Sequence, residues 1–338
     1  MSQGLAIASL HNLDQHHTHP HHPEHPSRLV AAWNGLLAAD LGDAMLMIEP
    51  RAATRAELER VHTSTYIDAL ECFCQNGGGD IDPDTKASPG SWITACRAAG
   101  AGLALLEAVH AGAAPAGFAL IRPPGHHALS DRAMGFCLFN NVAIAAKSRT
   151  ALGERVLIVD WDVHHGNGTQ AIFWDDPNVL FVSSQLERHW PFSGEVSETG
   201  GPNAPGRVIN LPFPEGTTGD VFLRAYDTVV ASAVEAFKPD WVLISAGFDS
   251  HRADPLGGLG LSAGDYAAMV QRLMSFAPQR VVLFLEGGYN PEAVAASVGA
   301  TAAAIVGAHY DTERQSNGGP GESVISAADE AHRRAVDA

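Results

Sequence analysis

Residues 155–169 read RVLIVDWDVHHGNGT. An apolar run that has the make-up of a buried strand ends abruptly in two acids and two histidines. In an extended chain successive side chains alternate, so Asp160, Asp162 and His164 fall on one face and converge at the C-terminal end of the strand. Burying unpaired acids is costly, and a divalent cation is among the few partners that offset the cost beside imidazoles. The alternative is an ordinary capped strand end whose polar residues are hydrogen bonded.

Outward from this run the chain alternates apolar, β-rich stretches with alanine-rich helical ones. Strands are predicted at 117–121, 155–159, 179–183, 207–211, 241–245 and 281–285, and helices at 91–111, 141–150, 219–237 and 262–276. That alternation predicts an α/β single domain with a mainly parallel central sheet flanked by helices. Four of the six strands run straight into unusual polar sequence: RPPGHHA, DWDVHHGNG, AGFDS and EGGYN. Ligands in open α/β sheets bind beyond the carboxyl ends of the strands, so these four segments are expected to meet in one crevice.

Composition narrows the functional classes. Of 338 residues 46% are hydrophobic, and no apolar run is read as approaching the roughly 20 residues that span a bilayer. No signal peptide is read at the N-terminus, so a cytoplasmic location is expected and no membrane partner. The net charge of −17 argues against nucleic-acid binding, which needs clustered Lys and Arg. Cys72, Cys74, Cys96 and Cys137 form no CxxC pair and are expected as reduced thiols. Seven histidines between His11 and His25 fall among prolines, which suggests a loop of mostly solvated rings. The catalytic domain is expected over residues 1–310. From Asp311 the chain turns polar and glycine-rich before a helical stretch at 326–336, and 311–338 is expected to be a peripheral or mobile tail.

A catalytic zinc usually takes three protein ligands and keeps one position for water or substrate. Asp162 and His164 supply two, and Asp249, beyond another strand, is the best third. Fe(II) or Co(II) would also suit oxygen-rich ligation. His126 and His127 sit on a turn forced by RPPG, where a neutral imidazole could act as general base and its protonated form as acid to a leaving amine. Asp160 and Asn167, one charged and one neutral, are the candidates to orient the two rings, which should then differ in basicity. Tyr289, after two glycines, could donate to an oxyanion. Phe136 and Phe192 could wall an apolar channel for a slender acyl-amine. These parts fit hydrolysis of an amide.

The motifs HPEHPSR, GGDIDPDT, RPPGHHA, MGFCLFNNVAIAA, DWDVHHGNGTQ, GFDSHRADPLGG and EGGYN, in this order, closely resemble the histone deacetylase family, in particular its class II branch with bacterial amidohydrolase and acetylpolyamine-hydrolase relatives. The resemblance runs over about residues 20–305. It implies an arginase-like α/β fold and one zinc on Asp162, His164 and Asp249. It implies His127 as general acid and base, His126 as electrostatic partner with Asp160 and Asn167 behind the pair, and Tyr289 on the oxyanion. It also implies a structural potassium at Asp160, Asp162, His164, Ser183 and Ser184, and a second on carbonyls of Phe173, Asp176 and Val179. Arg28 resembles an arginine of an inner product channel. Asp84 aligns with a rim acid that grips substrate, with Asp82 as a competing alignment, and Gly135, Gly288 and Leu256 join the substrate wall.

Two departures stand out. Where relatives commonly carry a Leu-His pair and a PGTG turn, this chain reads SQLERHWPFSGEVSETGG, so the resemblance does not give the conformation of the entrance loop at 185–201. Leu256 occupies a position at which some polyamine-selective relatives carry an acid. The leading expectation is zinc-dependent removal of an acetyl or short acyl group from N6-acyl-lysine or a similar amine, with an acetylpolyamine deacetylase and a catalytically weak acyl-lysine-binding module as alternatives. A two-metal ureohydrolase would need more carboxylates, since His251 stands two residues after Asp249. A homo-oligomer is compatible with the sequence.

Overall fold

In the computed structural model, which describes residues 4–337, the chain lays down β1 (Leu5–Ser9), α1 (Ser27–Ala38), β2 (Met45–Met47), α2 (Arg55–Leu58) and α3 (Ser64–Gln75) before a small hairpin of β3 (Gly79–Asp80) and β4 (Lys86–Ala87). Next come α4 (Ser91–His110), β5 (Ala116–Leu120), α5 (Asn141–Thr150), β6 (Val156–Asp160), α6 (Asn167–Phe173), β7 (Val179–Leu186) and β8 (Val208–Phe213). The remainder is α7 (Gly219–Ala225), continued through a π turn into α8 (Ala231–Phe237), then β9 (Trp241–Ala246), α9 (Ala263–Met274), β10 (Val281–Leu285), α10 (Pro291–Val306) and α11 (Glu322–Asp337).

Eight strands form one parallel sheet in the order β2-β1-β5-β10-β9-β6-β7-β8. The inner strands are buried on both faces, as their unbroken Val, Leu and Ile runs require. The arrangement is the expected α/β fold. The four strands that lead into polar sequence, β5, β10, β9 and β6, are consecutive in the sheet. Because they are parallel, their carboxyl ends share one edge, and the crevice follows from topology.

Six of the eight strands of the sheet lie within a few residues of the expected bounds, whereas β1, β2, the hairpin, α1, α2, α3, α6 and α10 were not expected. Some signals were there to read: α10 starts with Asn290 accepting from Glu292 and Ala293 backbone N–H groups, followed by Pro at the first helical position. One expectation needs correcting. Helix α4 is 20 residues long and, by length and composition, apolar enough to cross a membrane, but 72% of that stretch is buried and the helix packs on β1, β5 and α5.

The segment expected as a peripheral or mobile tail is stitched to the body. Glu313 accepts from the His251 ring at 2.8 Å and the Ala263 N–H at 3.1 Å, Ser316 Oγ donates to Asp265, and α11 packs on the edge strand β8 with Ile325 and Ala328 buried. The histidine-rich loop is likewise not uniformly solvated. His16 is buried with its Nδ1 2.6 Å from Ser91 Oγ, and His11 stacks on Trp33 with ring centroids 4.0 Å apart.

Candidate active site

Strand β6 stops at Asp160, so the alternation that would carry three residues on one face ends there. Asp160 turns to His126, whereas Asp162 and His164, in the loop beyond, meet Asp249 from the loop after β9. One candidate ligand atom from each of these three lies within 4.8 Å of the others, and all three residues are buried. Backbone donors hold the carboxylates in place. Asp162 Oδ1 accepts from His164 N at 2.9 Å, Asp162 Oδ2 from Gly287 N at 2.8 Å, and Asp249 Oδ1 from Val163 N at 2.9 Å.

The fourth oxygen, Asp249 Oδ2, is buried without a hydrogen-bond partner, 3.2 Å from His164 Nδ1. Burial and the Asp162 charge push the Asp249 carboxyl up to about 7. Burial works against charge on His164, but its bond to Asp162 and the charges of Asp162 and Asp249 hold its imidazole at about 10. A buried acceptor without a donor, flanked by a second carboxylate and an imidazole, is a donor set that fits a divalent cation. Gly287 is required here, since a Cβ on it would lie 2.0 Å from Asp249 Oδ2 and 2.5 Å from Asp162 Oδ2.

The paired histidines are oriented differently. His126 Nδ1 donates to Asp160 Oδ2 at 2.8 Å, and His127 Nδ1 donates to Asn167 Oδ1 at 2.7 Å. Burial opposes charge on both rings. For His126 the charges of Asp160 and Asp162 outweigh it and hold the ring at about 10. For His127 the neighbouring His126 and His164 add to it and push the ring well below its ordinary value. His127 therefore stays neutral with its Nε2 free to accept, and of the pair it alone lines the cavity. Glu286, which the sequence reading did not single out, sets this turn by accepting from Gly125 N at 2.6 Å and His126 N at 3.2 Å.

A cavity of about 360 Å³ leads down to the triad between Asp84, His127, Gly135, Phe136, His164, His189, Trp190, Leu256 and Tyr289. Phe136 forms the expected wall, at φ +66°, with its N–H on Thr85 Oγ1 at 3.2 Å. Phe192 does not form the other. The chain turns back at this point through a bond from Phe192 N to His189 O at 2.7 Å, leaving Phe192 76% exposed. Trp190 takes its place, its ring 4.6 Å from that of His127, and the signal was the bulky aromatic ahead of Pro191. Gly135, at φ +57°, lies so close that a Cβ would stand 2.5 Å from Trp190 and 2.6 Å from His127.

Asp84 reaches the rim of the cavity, while Asp82 is spent on the turn below it, accepting from Asp84 N at 3.0 Å and Thr85 N at 2.6 Å. Tyr289 lines the cavity, and burial, with the nearby carboxylates, raises its phenol well above the ordinary value against the pull of Arg28, so it remains a proton donor. Gly288 is behind the wall rather than on it: its carbonyl accepts from Arg28 Nε at 2.6 Å. The Arg28 guanidinium sits 5.0 Å from the Tyr289 ring and donates to Glu24 Oε1 at 2.9 Å.

Residues 22–305 match the histone deacetylase domain family. The chain belongs to the histone deacetylase family. It is 42% identical over 79% of its length to histone deacetylase 15 of Arabidopsis thaliana, covering 50% of that protein. It is 39% identical over 74% of its length to a probable deacetylase of Archaeoglobus fulgidus, covering 71% of that one. The crystal structure of the HDA15 HD domain superposes with a TM-score of 0.89 at 36% identity, covering 97% of this chain and 96% of the other. The chain thus spans about half the length of several of the plant deacetylases it matches.

His251, two residues after Asp249, stays out of the triad. Both ring nitrogens are used elsewhere, Nε2 with Glu313 at 2.8 Å and Nδ1 accepting from Ala253 N at 3.1 Å. Among the residues expected at a potassium, Ser183 pairs in register with Asp160, and its Oγ is buried without a hydrogen-bond partner. Ser184 Oγ lies 3.4 Å from the Tyr226 hydroxyl. At the second expected position, the carbonyls of Phe173 and Asp176 accept from Asp176 N and Val179 N, and the Lys147 ammonium is 2.7 Å from the Asp176 carboxylate.

Proposed function

We propose that this chain is a zinc-dependent deacetylase that removes an acetyl or short acyl group from N6-acyl-lysine or a similar slender amine. The observation that carries the reading is the buried Asp249 Oδ2, 3.2 Å from the ring of His164, which lines a cavity that also presents a neutral His127 and a protonated Tyr289. A divalent cation held by Asp162, His164 and Asp249 would supply Lewis acidity, polarising the amide carbonyl and acidifying water.

The chain's own residues supply the rest. His127 Nε2 takes the proton of the attacking water as the new C–O bond forms, and returns it to the amine as the C–N bond breaks. Asn167 holds the ring in the tautomer that this needs. The Tyr289 hydroxyl donates to the carbonyl oxygen as it gains negative charge. His126, paired with Asp160, stays charged behind His127 and keeps that ring from protonating prematurely. Products are a carboxylic acid and a free amine.

Phe136 and Trp190 favour a thin, apolar stem, and Leu256 offers no charge to a polyamine at its gate. Asp84, on the cavity lining, would accept from a backbone N–H of a peptide-borne lysine and would equally meet the cation of a polyamine. The orphaned Ser183 Oγ beside Asp160 supports a potassium at the first expected position. A panel of acetylated peptides, acetylpolyamines and short-chain acyl amides, assayed on chelated protein before and after addition of zinc, iron or cobalt, tests the reading. Zinc-restored acetate release, fastest on the peptides, is expected. Peptide binding without acetate release above a Tyr289→Phe control would replace it with a binding module, and two manganese ions per chain would replace the single-zinc site.

A further inference from the structure

The carboxylate of Asp254 is nearly buried, at 9% exposure, and touches no substrate, yet it joins two walls of the cavity. Its Oδ1 accepts from Leu256 N at 3.0 Å. Its Oδ2 accepts from Tyr289 N at 2.6 Å and Asn290 N at 3.1 Å. A bond from Asn290 Nδ2 to the Ala253 carbonyl at 2.9 Å closes the same loop pair. The Leu256 backbone is also held by the His189 ring, which comes from the entrance loop. Leu256 and Tyr289 come from loops after different strands, so their separation is not fixed by the sheet.

From this geometry we infer that Asp254 is a positioning residue: one carboxylate sets the Tyr289 phenol for oxyanion contact and fixes the Leu256 gate against it. The inference rests on the proposed role of Tyr289. Both oxygens act only as acceptors, which a carboxylate can do and an amide cannot. Asp254→Asn would turn an NH₂ group toward a backbone N–H and push one loop away. A misplacement of about 1 Å is enough to cost roughly 100-fold in rate.

A double-mutant cycle with a second readout tests it. Zinc-loaded wild type, Asp254→Asn, Tyr289→Phe and the double variant are assayed on an acetyl-lysine peptide. Hydrogen exchange is followed by mass spectrometry in peptides covering 252–259 and 285–292, and melting curves check that each variant is folded. Asp254→Asn should lower kcat by about 10-fold to 100-fold with little change in KM, and by less than about threefold when Tyr289→Phe is already present. Exchange should accelerate in those two peptides alone. Equal losses in both backgrounds would reduce Asp254 to general structural support. Unchanged exchange in the two peptides would overturn the clamp even if the wild type hydrolyses nothing, whereas absent wild-type activity with locally faster exchange would overturn the proposed reaction and leave the clamp standing.

Discussion

His127 Nδ1 lies 2.7 Å from the amide oxygen of Asn167, a neutral partner, while the adjacent His126 is paired with the Asp160 carboxylate at 2.8 Å. The two neighbouring imidazoles are driven apart in basicity: the charges of Asp160 and Asp162 raise His126 against its burial, while burial and the charges of His126 and His164 lower His127, which the neutral Asn167 only partly offsets. Because His127 must be neutral to take a proton, its lowered basicity carries the active form to lower pH. Asn167→Asp would place a carboxylate on that ring and raise it, by about one unit or more. The acid limb of kcat/KM should move up in pH by the same amount, read from a pH–rate profile, while the basic limb stays.

The close approach at the metal site gives a second expectation. Gly287→Ala places a methyl group 2.0 Å from Asp249 Oδ2, so the carboxylate must leave its position. Zinc stoichiometry by elemental analysis should fall from about one per chain to near zero, and the melting temperature should lose its dependence on added zinc.

Trp190 and Phe192, two residues apart, should behave in opposite ways. A lysine stem in the channel buries methylenes at roughly 0.8 kcal/mol each. Trp190→Ala should therefore raise KM for an acetyl-lysine substrate about tenfold, equivalent to about 1.4 kcal/mol. Phe192→Ala, on an exposed ring, should leave KM on a single acetyl-lysine within about twofold. Steady-state kinetics on a short fluorogenic substrate measures both.

Glu24 is enclosed by Arg28 and Arg122, with His16 3.5 Å away. Burial would raise its carboxyl, but the attraction of Arg122, the bond to His16 and the charge of Arg28 hold it well below 4.5. A carboxyl depressed on folding stabilises the protein above its unfolded value and loses that contribution as pH falls through the folded one. Wild-type stability from this group should therefore be complete above about pH 4.5 and fade only in stronger acid. Glu24→Ala strands Arg28 on backbone carbonyls alone and should cost about 3–5 kcal/mol in urea denaturation at neutral pH.

The parts of this site legible in sequence were those whose chemistry contradicted their setting. Asp162, His164 and Asp249 follow apolar strands, and charged groups at buried strand ends demand a partner. The roles of Asn167 and Asp160 followed from one being neutral and the other charged. What sequence could not supply was the path of loops. Phe192 and Trp190 are equally apolar, and only the turn closed by Phe192 N on His189 O decides which one faces the cavity. Asp254 carries no signal of its own in the sequence, because its partners, Leu256 and Tyr289, meet only when β9 and β10 lie side by side. The polar tail from Asp311 was expected to be peripheral or mobile because low hydrophobicity signals weak packing. It is held by the bond that Glu313 accepts from Ala263 N–H, by the bond Ser316 Oγ donates to Asp265, and by the buried Ile325 and Ala328 of α11.

The central claim, that Asp162, His164 and Asp249 hold one zinc for amide hydrolysis with Tyr289 as oxyanion donor, is tested most directly by acetate release from an acetyl-lysine peptide. The protein is stripped with chelator and titrated with zinc, as wild type and as Tyr289→Phe. Activity that rises from zero to a plateau at one zinc per chain, with the Tyr289→Phe plateau lower by about 100-fold to 1000-fold at equal zinc affinity, is the predicted result. Acetate release that ignores zinc, or a Tyr289→Phe protein as fast as the wild type, would contradict it.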